Sequence, residues 1–212
     1  PRSTLFPYTT LFRSRQPSIL AVGRFQDRQP GHPYKNQEAL IVAFRAMADL
    51  HAEGWQLHLA GSVGSEAELA RLREMSVGLP VAFHPNASLE ELHTLYRESS
   101  VYWHAQGFGE SHLMAPQSQE HFGITTVEAM SAGAIAMVYD TAGPAEVVAD
   151  VPGTVRWTSL EELRLATRNI ARADPTDMAS LRRAAQRRAA EFSEAAFATR
   201  LLTFIETGSP RS

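Results

Sequence analysis

Short apolar runs alternate with stretches of helical spacing along most of this chain, and no other feature constrains its fold as much. Ile19-Leu20-Ala21-Val22-Gly23 reads as a buried strand closed by a glycine. A helical stretch over 36–51 follows, with Ala39, Leu40, Ala43, Phe44, Met47 and Leu50 apolar at spacings of three and four. The pattern repeats as strand 57–61 and helix 65–75 with Ser65 as N-cap, then strand 81–84 and helix 89–99. It continues with strand 101–105, a helix over 123–132, strand 134–139, a short helix over 144–149, and a sixth candidate strand over 153–157. Strands separated by helices imply parallel pairing, because a parallel connection needs a crossover of a dozen or more residues. Right-handed crossovers then cover both faces of the sheet. Ligands of such sheets sit beyond the carboxyl ends of the strands, which directs attention to loops 24–35, 61–64, 106–122 and 140–143.

Two regions depart from the alternation. Residues 159–173 and 175–207 are helical throughout, and residues 151–212 carry ten Arg against seven acids. Interspersed Arg and Glu mark a solvated face rather than a nucleic-acid surface. A net charge of −3 and a pI near 6.3 agree. The first fourteen residues lack any period and resemble translated adapter sequence, although a strand of a preceding domain is the other reading. The chain starts at Pro1 rather than Met, from which we expect a piece of a longer protein. The absence of Cys removes disulfides, thiolate metal sites and a Cys nucleophile.

The densest chemistry lies in Glu120-His121-Phe122-Gly123-Ile124-Thr125-Thr126-Val127-Glu128-Ala129-Met130, where a loop becomes a helix. Backbone N–H groups at a helix start point outward without partners and bind anions, and Gly123 lets such an anion approach. Glu128, about 7.5 Å along that helix, can accept from ribose hydroxyls while Glu120 faces the other end of the ligand. Hydroxyls at both ends and phosphate between them describe a nucleotide sugar. Upstream, Val22-Gly23-Arg24-Phe25 is followed by Lys35-Asn36, and Lys35 is the one lysine among 20 basic side chains.

These residues resemble the E-x7-E motif of family 4 glycosyltransferases, the retaining group with two facing Rossmann-like domains (the GT-B fold). Glu120-x-Phe122-Gly123, Glu128-Ala129-Met130, Ala132-Gly133 and Gly143-Pro144-x-Glu146 stand in the family's order, after a Gly23–Arg24–Lys35 element and Leu59-Ala60-Gly61. The resemblance spans residues 18–150. It implies an α/β fold: a Rossmann-like doubly wound parallel sheet, the C-terminal half of a GT-B enzyme, with a helical tail. Residues 15–158 would form the donor-binding domain, with 159–212 as helices packed on it. Arg24, Lys35 and Glu120 would be catalytic. Gly23, Phe122, Gly123, Ile124, Thr125 and Glu128 would bind the donor, with no metal and no cofactor beyond the nucleotide diphosphate sugar.

The resemblance also implies an acceptor domain N-terminal to this chain, so that the chain alone transfers little. No nucleic-acid partner is expected. A cytoplasmic enzyme is expected, with peripheral membrane contact left open. The link from Arg24 to Lys35 is longer than the family's usual one, which makes Arg28 an alternative cation. His104, His112 and His121 fall near the ligand edge without metal-ligand spacing, while His58 and His84 lie in strands. Of these, His104 is best placed to face the sugar or an acceptor. Trp55, Trp103 and Trp157 read as core. Three other readings stay open: a glycoside hydrolase using Glu120 and Glu128, a non-catalytic nucleotide-binding module, and a nucleotide-sugar epimerase of the same fold.

Overall fold

The computed structural model describes residues 15–29, 32–111 and 113–207; residues 1–14 and His112, discussed above, lie outside them. Six strands, β1 (Gln16–Val22), β2 (Gln56–Gly61), β3 (Val81–Pro85), β4 (Ser99–His104), β5 (Ile135–Tyr139) and β6 (Val155–Trp157), form one parallel sheet in the order β3-β2-β1-β4-β5-β6. The pleat sends alternate side chains to opposite faces, so a strand covered on both sides reads as a continuous apolar run. Ile19, Val101, Trp103 and Met137 enter one core, whereas Leu20, Tyr102, Ala136 and Val138 enter the other.

Helices α1 (Gln37–Arg45), α2 (Ala48–Ala52), α3 (Glu66–Met75) and α7 (Leu160–Ala171) supply residues to the first core. Helices α4 (Leu89–Glu98), α5 (Ile124–Ser131), α6 (Ala142–Val147) and α8 (Pro175–Ala190) supply the second. Ser65 caps α3 as its spacing predicts, its Oγ accepting from Glu68 N–H at 3.1 Å. The tail helices α7 and α8 are anchored differently. Arg168 grips Asp49 of α2 through Nε–Oδ2 at 2.8 Å and Nη2–Oδ1 at 2.9 Å, and Ala185 and Ala189 of α8 are fully buried.

Two expected helices are each divided. The chain leaves helical geometry at Met47 (φ −118°, ψ 45°), which separates α1 from α2 while both Met47 and Leu50 stay fully buried. The tail breaks after Ala190, and α9 (Glu194–Thr207) buries none of its residues. An even 3.6-residue spacing hides such breaks, because a turn can reset the phase without removing an apolar residue.

His58 of β2 and His84 of β3 stack, with His58 Nδ1 3.0 Å from His84 Nε2 and His84 Nδ1 2.9 Å from Glu91 Oε1. Burial, helped by the charge of His84, pushes His58 down to about 4. The unfolded chain therefore binds a proton at this position that the folded chain refuses between about pH 6.5 and 4. Stability from this group is complete above that window and is lost as pH falls through it. A His58→Gln protein should show a flatter fall in melting temperature from pH 7 to 4.5 than the parent; parallel profiles would refute the assignment.

Candidate active site

Strand order reverses between β1 and β4, and their carboxyl ends part there to leave a crevice. Gly23 and Arg24 leave one side of it, His104 and Ala105 the other, and a cavity of about 10 Å³ lies between. Lys35 enters from the loop before α1. Asn36 takes the left-handed conformation at the N-cap (φ 56°), which Asn tolerates, and its Nδ2 donates to Phe108 O at 2.8 Å. Gln37 Nε2 donates to Gly23 O and Arg24 O, both at 3.1 Å, stapling the start of α1 to the end of β1. The stem of Lys35 thus lies across Gly23, where an added Cβ would sit 2.5 Å from Lys35 Cγ.

Glu120 reaches the same place from the loop after β4. Its Oε2 is 2.6 Å from Lys35 Nζ, and the side chains keep only 26% and 22% of their exposure. Burial alone would raise the carboxyl of Glu120, but the hydrogen bond and charge of Lys35, with the Phe122 N–H, hold it below its usual range. His104 lies beside this pair, and burial and the Lys35 charge push it down to about 4 against the opposing pull of Glu120. The loop is held from outside by α6, whose Gly143 N–H donates to Glu120 O at 3.1 Å.

Gly123 is the left-handed N-cap of α5 (φ 86°), and Pro144 fills the space beside it. Its freedom therefore serves the cap rather than an open approach to the backbone. Ile124 and Thr125 precede the first bonded amide of α5, Thr126 N–H to Gly123 O at 2.9 Å. Glu128 lies one turn further on and receives the Tyr96 hydroxyl at 2.9 Å; burial raises its carboxyl despite that bond. The Tyr102 hydroxyl donates to Thr125 Oγ1 at 2.7 Å.

The sequence-predicted residues therefore separate into groups. Lys35 and Glu120 meet directly, while Glu128 keeps its own partner. Arg24 is exposed, its stem passing over Gly64, and Arg28 is bound to Glu110 Oε1 at 2.5 Å. The Phe122 ring turns away to Phe192 of the tail, with centroids 5.7 Å apart. Gln37, Tyr96 and Tyr102 escaped the sequence reading as site residues. Their signal was a polar tip at a position otherwise spaced for the core. Trp103 and Trp157 are fully buried, as read. Among the described residues no three His, Cys, Asp or Glu side chains gather as metal ligands.

The sequence model of the family described as glycosyl transferases group 1 matches residues 9–155. The chain belongs to that family. A GDP-Man:Man(3)GlcNAc(2)-PP-Dol alpha-1,2-mannosyltransferase of Xenopus laevis is 26% identical over 198 residues, covering 89% of this chain and 38% of the relative. The chain thus spans well under half the length of the curated relatives it matches. Among solved structures, S. aureus TarM superposes with a TM-score of 0.69 at 11% identity, covering 96% of this chain and 38% of that one. Anabaena HepE, in complex with UDP and glucose, gives 0.68 at 16%, covering 92% and 49%. At such identities these structures show the fold: the parallel Rossmann-like sheet with its helical C-terminal part. No helix among the described residues is long and apolar enough to cross a membrane.

Proposed function

We propose that this chain is the donor-binding half of a retaining glycosyltransferase that moves a sugar from a nucleotide diphosphate sugar. The observation that carries this reading is the Lys35–Glu120 pair at the crevice between β1 and β4. A cation beside a hydroxyl-accepting carboxylate suits a diphosphate joined to a sugar. Lys35 and Arg24 contact the diphosphate and stabilise it as it leaves, with the amides of Ile124 and Thr125 assisting at the helix start. Glu120 binds hydroxyls of the transferred sugar, and Glu128, oriented by Tyr96, accepts from the ribose. Two cations and a helix N-terminus supply the positive charge that a metal-dependent site takes from its ion, so chelation should not weaken binding. The acceptor approaches from a domain outside this chain, and the chain alone binds donor without efficient transfer.

Because the curated relatives are named for GDP-mannose, that is the first donor to test. A thermal-shift and calorimetric panel of UDP, GDP and ADP with their sugars should give a stabilising shift for one base. Glu128→Ala should weaken that nucleotide about tenfold, the loss of one charged hydrogen bond. It should also erase the preference for the ribonucleotide over its 2′-deoxy form. A nucleotide-binding module would keep nucleotide affinity but gain nothing from the attached sugar. No shift with any nucleotide sinks the proposal.

A further inference from the structure

The cavity between β1 and β4 holds an unbalanced set of polar atoms. His104 is 4% exposed, and neither of its ring nitrogens has a hydrogen-bond partner. Gln37 is 3% exposed, and its Oε1 is likewise buried without a partner. The amide orientation is not arbitrary. Nε2 is committed to two carbonyl oxygens, Gly23 O and Arg24 O, which only accept, so Oε1 must be the atom left over. Both side chains line the same cavity, together with Lys35. A volume of about 10 Å³ admits one oxygen-sized group. Leaving two such side chains unpaired is costly, so the fold holds them for an occupant.

The chemistry of the lining selects that occupant. Gln37 Oε1 requires a donor, and a neutral imidazole offers one N–H and one acceptor nitrogen. A phosphate oxygen, which only accepts, would face the Oε1 lone pairs. A metal cation would face the Lys35 ammonium. A hydroxyl donates its one proton to Gln37 Oε1 and still has lone pairs to accept from the imidazole N–H. Resting on the donor-site reading above, we propose that this cavity is a one-oxygen subsite in which His104 and Gln37 together read a hydroxyl of the donor sugar. His104 is then a specificity-determining residue deeper than Glu120. Burial and the charge of Lys35 beside it keep it neutral, and one ring nitrogen presents its N–H to that hydroxyl. A water fills the site when the sugar is absent.

The test separates the sugar's contribution from the nucleotide's. Calorimetry on the full chain would compare GDP with GDP-mannose and UDP with UDP-glucose, for the parent, His104→Phe and His104→Asn. The expected result is that His104→Phe binds the nucleoside diphosphate within twofold of the parent. It should lose about tenfold of the extra affinity conferred by the sugar, and His104→Asn should regain part of it. A series of deoxy and epimeric GDP- or UDP-hexoses should contain one donor that the parent discriminates against and His104→Phe does not. Equal losses for nucleotide and nucleotide sugar would overturn the inference, since His104 would then act only on Lys35 or on packing. An unchanged sugar increment would overturn it too, leaving a water site. If the parent binds no nucleotide, the donor-site reading itself fails and this one with it. If His104→Phe does not fold, His104→Gln and His104→Asn carry the same comparison.

Discussion

Lys35→Ala should weaken binding of the nucleoside diphosphate by roughly 30- to 100-fold, the value of one charge-assisted hydrogen bond to phosphate. The loss is large because two effects add. The variant removes the cation, and it strands Glu120, whose side chain keeps only 22% of its exposure, as an uncompensated negative charge beside the incoming diphosphate. The carboxyl of Glu120 is held down mainly by Lys35 against the pull of burial, so without Lys35 it must rise. Affinity of the variant should accordingly improve as the pH is lowered and Glu120 takes up a proton. The parent lacks this improvement, because Lys35 keeps its Glu120 ionised to lower pH. Lys35→Arg should restore only part of the binding, since a planar fork cannot follow the stem that now lies flat across Gly23. Calorimetric titrations at several pH values check both points; an affinity within threefold of the parent would remove Lys35 from the site.

Gly143→Ala should be strongly destabilising, lowering stability by about 3 kcal/mol and the melting temperature by roughly 6–12 °C. The added Cβ would lie 2.1 Å from His121 O, 2.5 Å from His121 C and 2.6 Å from Phe122 Cα, all backbone atoms that cannot rotate aside. Since those atoms follow Glu120 directly and Gly143 N–H donates to Glu120 O, any relief of the clash must move the loop that carries Glu120. Whatever folds should therefore also bind donor less well. Gly78→Ala is the comparison. Its φ of 78° makes alanine unfavourable, but nothing lies within 4 Å of the new carbon, so it should cost about 1 kcal/mol and leave binding intact. Equal melting temperatures for the two variants would show that the α6 contact yields more easily than its geometry implies.

Much of the molecule was legible before its structure. The apolar runs at Ile19, Leu57, Val101 and Ile135 announce strands buried on both faces, and the spacing of Leu40, Phe44 and Leu50 announces their helical cover. The order of Gly23, Arg24, Lys35, Glu120 and Glu128 directs attention to loops at one edge of the sheet. Local pattern suffices for such statements, because burial of a face repeats with the period of the element that carries it.

What the pattern does not carry is which distant residues meet. Lys35 and Glu120 are 85 positions apart, and they pair only because β1 and β4 become neighbours after the chain has wound outward through β2 and β3 and returned. The same crossing places His104 beside Gln37 and Tyr96 beneath Glu128. It also presses Gly143 against the backbone of His121, a need for glycine that no turn signal in the sequence reveals. Periodicity and motif order establish a parallel α/β sheet, the loops at its ligand edge and the kinds of side chain they bear. Tertiary structure alone decided their pairing, because a side chain's partner across a crossover is set by how helices pack on the sheet, and a single sequence records only how each element packs on average.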